Sequence, residues 1–319
     1  MRALALEANG PVFRADWPDP RPAAGEVLVR VLRAGICETD LQLIRGYKGF
    51  RGVLGHEFVG VAESGPLAGR RVVAEINCSC GACETWFAGR PGHCPNRRVI
   101  GILDHDGAFA DVVSVPQRNL YAVPDSIPTD DAVFVEPVAA AFEIPAQVTP
   151  NRRDRVIVLG DGRLGNLCAQ VLAQLCDHVL VVGKHQKKLD LLASLGLTTC
   201  LLSERPQDRS ADIVVDCTGS ASGLETALGL VRPRGTIVLK TTIAGTQAIG
   251  WARIVVDEVT IVGSRCGPFD RALTALAAGQ IKVAPLVSAH FDLTNGVAAL
   301  RHAGEPAVVK VLLDVIPER

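Results

Sequence analysis

Short apolar runs recur along the first 135 or so residues, each with polar positions interleaved: EVLVRVL (26–32), EFVGVAE (57–63), RVVAEI (71–76) and ADVVSV (110–115). Turn signals such as PAAGE, SGPLAGR and DHDGA bound them. Short strands at this spacing predict a small barrel or sandwich, and their polar faces predict mostly antiparallel pairing. From about residue 138 the pattern changes. VAAAFEIPAQV reads as a helix, RVIVLG (155–160) as a strand, and RLGNLCAQVLAQL (163–175) has apolar residues at helical spacing. The strand HVLVVG (178–183), the helix QKKLDLLASLG (186–196), the strand ADIVVDCTG (211–219), a helix near 222–231 and the strands GTIVLKT (235–241) and VTIVGSR (259–265) follow. Strands alternating with helices predict a doubly wound parallel sheet. The tail carries a helix, FDRALTALAAGQI (269–281), then two short strands around a second helix, ending in AVVKVLLDV (307–315). The expected organisation is a discontinuous first domain, 1–138 plus 268–319, with an α/β domain, 139–267, inserted.

Composition narrows the function. The chain has 319 residues, 48 % of them apolar and only 4 % aromatic, so its cores rest on Val, Leu, Ile and Ala. Formal net charge is −1 and no long basic run occurs, which favours neither nucleic acid nor an anionic membrane as partner. Glu7, Asn9, Gly10 and Pro11 break the apolar opening too early for a signal peptide, and no stretch reads as a membrane span. The expected compartment is therefore the reducing cytoplasm. There the four cysteines of CSCGACETWFAGRPGHC, Cys78, Cys80, Cys83 and Cys94, point to metal binding or catalysis rather than a disulfide framework.

Two constellations carry chemistry. Gly160-Asp161-Gly162-Arg163-Leu164-Gly165 is a G-x-G-x-x-G that follows the strand VIVL and opens a helix. In that context the glycines allow a tight turn, close approach to a pyrophosphate and close helix packing, with the helix N-terminus facing the phosphates. An NAD site usually has an acid at the tip of the next strand. Here Gly183, Lys184 and His185 stand at that tip, with Lys187 and Lys188 beyond, so the expectation is NADP in preference to NAD. Thr218 and Gly219 close a later strand at its carboxyl end, where such folds bind ligands. The second constellation is Cys37 in AGICETD, His56 and Glu57 in VLGHEFVG, and Glu136 in FVEPVAAA. Cys, His and carboxylates can complete a tetrahedral zinc site. Adjacent His56 and Glu57 would point to opposite faces of a strand, so a direct Glu57 ligand requires a bend there.

The ordered set GICxTD, GHEFVG, cysteine lobe, EP and G-x-G-x-x-G resembles the zinc-dependent medium-chain dehydrogenase/reductases, over nearly the whole chain. Glu136-Pro137 resembles the polyol, glucose and threonine dehydrogenase branches. The resemblance implies a GroES-like β-rich catalytic domain, a Rossmann domain and a reaction cleft between them. It implies that Cys37 and His56 ligate a catalytic zinc, with Glu57 and Glu136 as carboxylates that reach the metal or its water. The metal would lower the pKa of an alcohol, and a hydride would pass to the nicotinamide of NAD(P). By the same resemblance Thr39 takes the alcohol proton. Lys310 falls where relatives bring a basic residue to the pyrophosphate, and Cys266 and Gly267 fall near the nicotinamide. Gln42 departs from the family, since many relatives have a relay histidine there; His105 is a possible substitute. Tyr47, Phe50 and Phe269 are candidate pocket walls. Relatives assemble through the Rossmann sheet edge, which implies a homodimer or homotetramer.

The cysteine lobe also departs from the family spacing. With Cys80, Cys83 and Cys94 aligned to the first, second and fourth of the expected ligands, Trp86 stands at the third. Either Cys78 replaces it in a rewired structural Cys₄ zinc site, or Trp86 fills the space and the thiols stay free. The reading as a whole is a zinc-dependent oxidoreductase acting on an alcohol, polyol or sugar, or the matching carbonyl. A zinc-free quinone or enoyl reductase and a non-catalytic NADPH-binding protein of the same fold are the alternatives.

Overall fold

The computed structural model describes residues 1–242 and 248–316. Residues 317–319, the end of the expected first domain, lie outside the described residues. The chain opens with strands β1 (Ala3–Glu7), β2 (Gly10–Arg14) and β3 (Glu26–Gly35), then helix α1 (Glu38–Ile44), β4 (Gly52–Val53), β5 (Glu57–Ala62) and β6 (Arg71–Ala74). A lobe with β7 (Asn77–Cys78), α2 (Glu84–Phe87) and β8 (Arg98–Val99) follows, then β9 (Val112–Pro116), β10 (Leu120–Ala122), α3 (Thr129–Ala132) and α4 (Val135–Gln147). The alternating segment is β11 (Arg155–Leu159), α5 (Arg163–Ala173), β12 (His178–Gly183), α6 (Gln186–Ser194), β13 (Thr198–Leu201), β14 (Ala211–Asp216), α7 (Gly223–Leu230), β15 (Val231–Leu239), α8 (Trp251–Val256) and β16 (Thr260–Gly263). Helix α9 (Phe269–Ala277), β17 (Val287–Asp292), α10 (Gly296–Ala303) and β18 (Lys310–Asp314) complete it. Backbone contacts divide the chain into one unit of Met1–Glu136 with Ala272–Arg319 and another of Pro137–Arg271. Among the described residues no helix is long and apolar enough to cross a membrane.

In the first unit the strand order is β10-β6-β5-β3-β18-β17, with β9 also paired to β3, beside a small β2-β1-β4 sheet. The expected barrel or sandwich is corrected here. Among the described residues β10 and β17 are unpaired ends of an open sheet, because a long, bulged β3 carries three partners, β5, β9 and β18, along its length. Pairing is antiparallel as the alternation predicts, except between β17 and β18. β17 buries every second residue more deeply, the pattern of a strand with one wet face.

The second unit is a parallel sheet in the order β13-β12-β11-β14-β15-β16. Its inner strands are apolar on both faces: four of the five residues of β11 are buried, as helices covering both sides require. Ile157, Leu159, Val214, Ile237 and Leu228 form part of its core. β13, TTCL, has no clear alternation, and the sequence pattern predicts no strand there.

Candidate metal and dinucleotide sites

The first site grows from the register of β3 and β5. Gly35 pairs with Glu57, so the residues just past β3 and just before β5 meet at one end of the sheet. Cys37 lies there as the N-cap of α1. His56 precedes β5 after Gly55, whose φ of +95° only glycine adopts freely. That turn supplies the bend a Glu57 ligand requires. One ligand atom from each of Cys37, His56 and Glu57 lies within 4.8 Å of the others. Glu136 is half-buried at the start of α4, and its carboxylate is not part of this convergent set.

Buried charge surrounds the cluster. Asp40 is fully buried; its Oδ2 accepts from Cys37 N (2.8 Å), and its Oδ1 accepts from Gly55 N (3.3 Å) and lies 3.4 Å from His56 Nδ1. Burial disfavours the imidazolium, but Asp40 and the Cys37 thiol outweigh it and hold His56 well above its ordinary pKa. Thr39 Oγ1 lies 3.8 Å from Cys37 Sγ. Lys310 corrects a sequence expectation. Its side chain is 1 % exposed, its Nζ donates to Glu57 Oε2, and it lies 5.4 Å from the Phe134 ring centroid. An ammonium held this way inside the first unit is a partner of Glu57 rather than a surface donor for a pyrophosphate. Burial pulls it down to about 8, against the neighbouring Cys37 and Asp40. Gly35 makes room for it: a Cβ there would come within 2.6 Å of Lys310 Cε.

The cluster fits a zinc ion. Sulfur, imidazole and carboxylate donors converge, and buried His56 Nδ1 has no aligned hydrogen bond but faces a carboxylate, the arrangement that leaves the other ring nitrogen to a metal.

In the cysteine lobe Cys80, Cys83 and Cys94 converge in the same way, with Cys94 Sγ 3.5 Å from Cys80 Sγ and 3.6 Å from Cys83 Sγ. Bonding, led by the Ala82 amide, lowers the Cys80 thiol to about 7. The rewired four-thiol site is corrected: Cys78 is not among the convergent thiols. It sits in β7, 3 % exposed, and burial pushes its thiol up to about 12. Trp86 packs under the Arg118 guanidinium, 5.3 Å from its ring centroid.

The second site is the turn from β11 into α5. Gly160 has φ +118°, and a Cβ on it would meet Cys217 O at 2.7 Å. A Cβ on Gly165 would lie 2.0 Å from Gly160 O, whereas one on Gly162 would meet nothing within 4 Å. Gly162 caps α5 without any side-chain cap, and Arg163 and Leu164 are its first, half-buried residues. A glycine opening onto free space beside uncapped helix amides fits a pyrophosphate.

The tip of β12 differs from expectation. No acid follows Gly183 in sequence, yet Asp161 brings one in from the glycine turn. Its Oδ2 accepts from Lys184 N and His185 N, both at 2.7 Å, and His185 Nδ1 lies 3.1 Å away. The expectation of NADP, which rested on the absence of an acid there, loses its basis. The Lys184 side chain is exposed and Lys188 is half-buried. Thr218 Oγ1 donates to buried Asp216 (2.8 Å), which also accepts from Thr241 Oγ1 (3.0 Å). Lys240, which the sequence reading missed, is buried and donates to Ala140 O, Ser264 Oγ and Arg265 O. Gly267 is a packing glycine, since a Cβ would lie 2.1 Å from Ala139 O. Phe50 and Phe269 are buried core, Tyr47 is half-buried, and Gln42 bonds Glu38. The His105 ring bonds the Asp106 carbonyl.

A mixed-donor metal cluster in a β-rich unit and a glycine turn in a parallel α/β unit define an oxidoreductase that works with a metal and a dinucleotide. The alcohol dehydrogenase GroES-like domain family matches residues 23–125, and the zinc-binding dehydrogenase family matches residues 164–279. An L-threonine 3-dehydrogenase of Streptomyces coelicolor is 29 % identical over 98 % of this chain and 99 % of its own. The structure of the rspB alcohol dehydrogenase from Escherichia coli CFT073, complexed with NADH, is 28 % identical, with TM-score 0.89 over 98 % of this chain and 99 % of that one. A zinc-binding dehydrogenase from Sinorhizobium meliloti 1021, bound to NADP, is also 28 % identical, with TM-score 0.87 over 99 % of both chains. The chain belongs to the zinc-dependent medium-chain dehydrogenase/reductase superfamily, and it is an oxidoreductase that uses zinc and NAD(P).

Proposed function

We propose that the chain interconverts a secondary alcohol, polyol or sugar and its carbonyl, with the catalytic zinc held by Cys37, His56 and a carboxylate, Glu57 or Glu136. The observation that carries this reading is the convergence of Cys37, His56 and Glu57 donors within 4.8 Å. When bound, zinc supplies Lewis acidity at the alcohol oxygen and the nicotinamide supplies the hydride chemistry. Asp40 fixes the His56 ring, and Lys310 holds the buried Glu57 side chain in place by donating to its Oε2. Thr39 Oγ1, beside Cys37, takes the alcohol proton. Gln42 cannot titrate, so that proton leaves to water. The Gly160–Gly165 turn carries the pyrophosphate. A second, structural zinc sits at the convergent thiols of Cys80, Cys83 and Cys94, without Cys78. We expect a reducing, cytoplasmic setting, in which metal-binding thiols stay reduced. Assembly as a homodimer or homotetramer is proposed on the family resemblance alone.

Metal content tests the assignment. Purified protein is expected to hold two zincs per chain. Cys37→Ser and His56→Ala each lose one together with alcohol oxidation, Cys83→Ser loses the other, and Cys78→Ala loses neither. Full activity in metal-free protein, or in both Cys37→Ser and His56→Ala, sinks the zinc reading.

A further inference from the structure

The tip of β12 holds a carboxylate from an unusual source. Dinucleotide folds that bind NAD carry an acid at the end of the second strand of the unit, about twenty residues after the glycine turn, where it takes the ribose 2′-hydroxyl. Here that position is Gly183. A Cβ built on Gly183 would lie 2.5 Å from Asp161 Oδ2 and 2.8 Å from Asp161 Cγ. The Asp161 carboxylate therefore occupies the volume that an acidic side chain at 183 would enter. The two positions are alternative sources of one negative charge at one place, and glycine at 183 is what the Asp161 arrangement requires.

We propose that Asp161 selects the adenosine ribose of the cofactor, favouring the free 2′-hydroxyl of NAD over the 2′-phosphate of NADP. The inference rests on the reading of the Gly160–Gly165 turn as the dinucleotide site. Two effects act together. The Lys184 and His185 amides, just ahead of α6, could otherwise cradle a phosphate but already donate to Asp161 Oδ2. The carboxylate is 8 % exposed, so its field at that corner is weakly screened. Opposing it are the ammonium groups of Lys184, Lys187 and Lys188 and the His185 ring. Lys184 and Lys187 are exposed and solvated, Lys188 is half-buried, and His185 is 43 % exposed with Nδ1 turned to Asp161 itself. A buried charge at the tip outweighs the solvated charges of Lys184 and Lys187.

The test is calorimetric binding of ADP-ribose and 2′-phospho-ADP-ribose, with NADH and NADPH fluorescence as a second readout and no turnover required. The wild-type protein is expected to bind ADP-ribose at least about tenfold more tightly than its 2′-phospho form. Asp161→Asn keeps the shape and removes the charge, and is expected to lower that ratio about tenfold. Because the glycine turn could depend on Asp161 for its conformation, a second variant moves the charge instead. Asp161→Gly combined with Gly183→Asp is expected to restore the preference. Wild-type protein that binds the 2′-phospho form equally or better, or a ratio unchanged in Asp161→Asn while Lys184→Ala alters it, overturns the role of Asp161. Failure to bind either probe overturns the dinucleotide reading and this inference with it.

Discussion

The Cys37–His56–Glu57 cluster of the first unit and the glycine turn of the second both sit at strand ends, yet they are made from opposite materials. The turn is backbone. Six consecutive residues shape it, and its key distances run from the missing side chains of Gly160 and Gly165 to main-chain oxygens. The cluster is side chains from separate segments: Glu57 and Lys310, buried together, are 253 residues apart in the chain. A site of the first kind needs only the neighbouring strands of its own sheet in place. A site of the second kind exists only when the whole sheet has closed, because β18 carries Lys310 beside β3 and β3 sets β5 in register. The first unit thus concentrates risk in buried charge, the second in backbone fit.

The largest effect is expected where that charge is broken. Lys310→Ala leaves the Glu57 carboxylate buried without its cation, which costs about 3–5 kcal/mol. Urea denaturation should show a lower midpoint with the slope little changed. Lys310→Met combined with Glu57→Gln should recover most of the loss, because no ion is then left stranded. A loss below about 1 kcal/mol in Lys310→Ala would mean that Glu57 reaches water or another partner, contrary to an exposure of 2 %.

Two alanine substitutions sharpen the other half of the contrast. Gly165→Ala puts a Cβ 2.0 Å from Gly160 O, so the backbone must part, at about 1–3 kcal/mol. Gly162→Ala meets nothing and has no positive φ to strain it, so stability should move by no more than about 0.5 kcal/mol. Its methyl group would stand in the open space before α5, and NADH affinity is expected to fall while the melting temperature holds. Equal loss of stability in both variants would show that the turn is governed by something other than this close approach.

The same contrast explains what could be read from sequence. The glycine turn was legible because its spacing, the apolar strand before it and the helix after it are consecutive. The parallel sheet was legible except β13, whose TTCL has neither alternation nor a long apolar run. Cys37, His56 and Glu57 were reached through family resemblance, since no local pattern joins them. Lys310 was misplaced, because nothing in AVVKVLLDV reveals that one lysine of an apolar strand turns inward to a carboxylate; the only hint was a charge in a run otherwise fit for burial. Asp161 is hidden in the sequence for a different reason. It sits at a variable position inside the glycine fingerprint, more than twenty residues before the tip of β12 where its carboxylate lies. Gly183 itself was the available signal, a strand-end glycine that leaves room for a side chain from elsewhere. Asp40 is the last residue of AGICETD, and only the fold shows it behind His56.

The smallest effect tests whether charge at the opposite ends of these strands matters as it does in the first unit. Asp212, at the start of β14, accepts from Arg155 N (2.8 Å) and Arg232 Nε (2.6 Å), tying β14 to β11 and β15. Burial pushes its carboxyl up, but those two bonds outweigh it and hold the pKa below the ordinary 3.8. A lowered folded-state pKa means the stabilisation is complete above 3.8 and fades as pH falls through the folded value. Solvent reaches this pair, so Asp212→Asn should lose only about 0.5 kcal/mol at pH 7. The difference between wild type and Asp212→Asn in urea midpoint should hold from pH 7 to 5 and shrink as acid protonates the wild-type carboxyl. A gap that persists undiminished at the lowest pH where the protein stays folded would assign the effect to shape rather than charge. Set beside Lys310→Ala, the pair of experiments measures how much of an ion pair's weight comes from the burial of its partners.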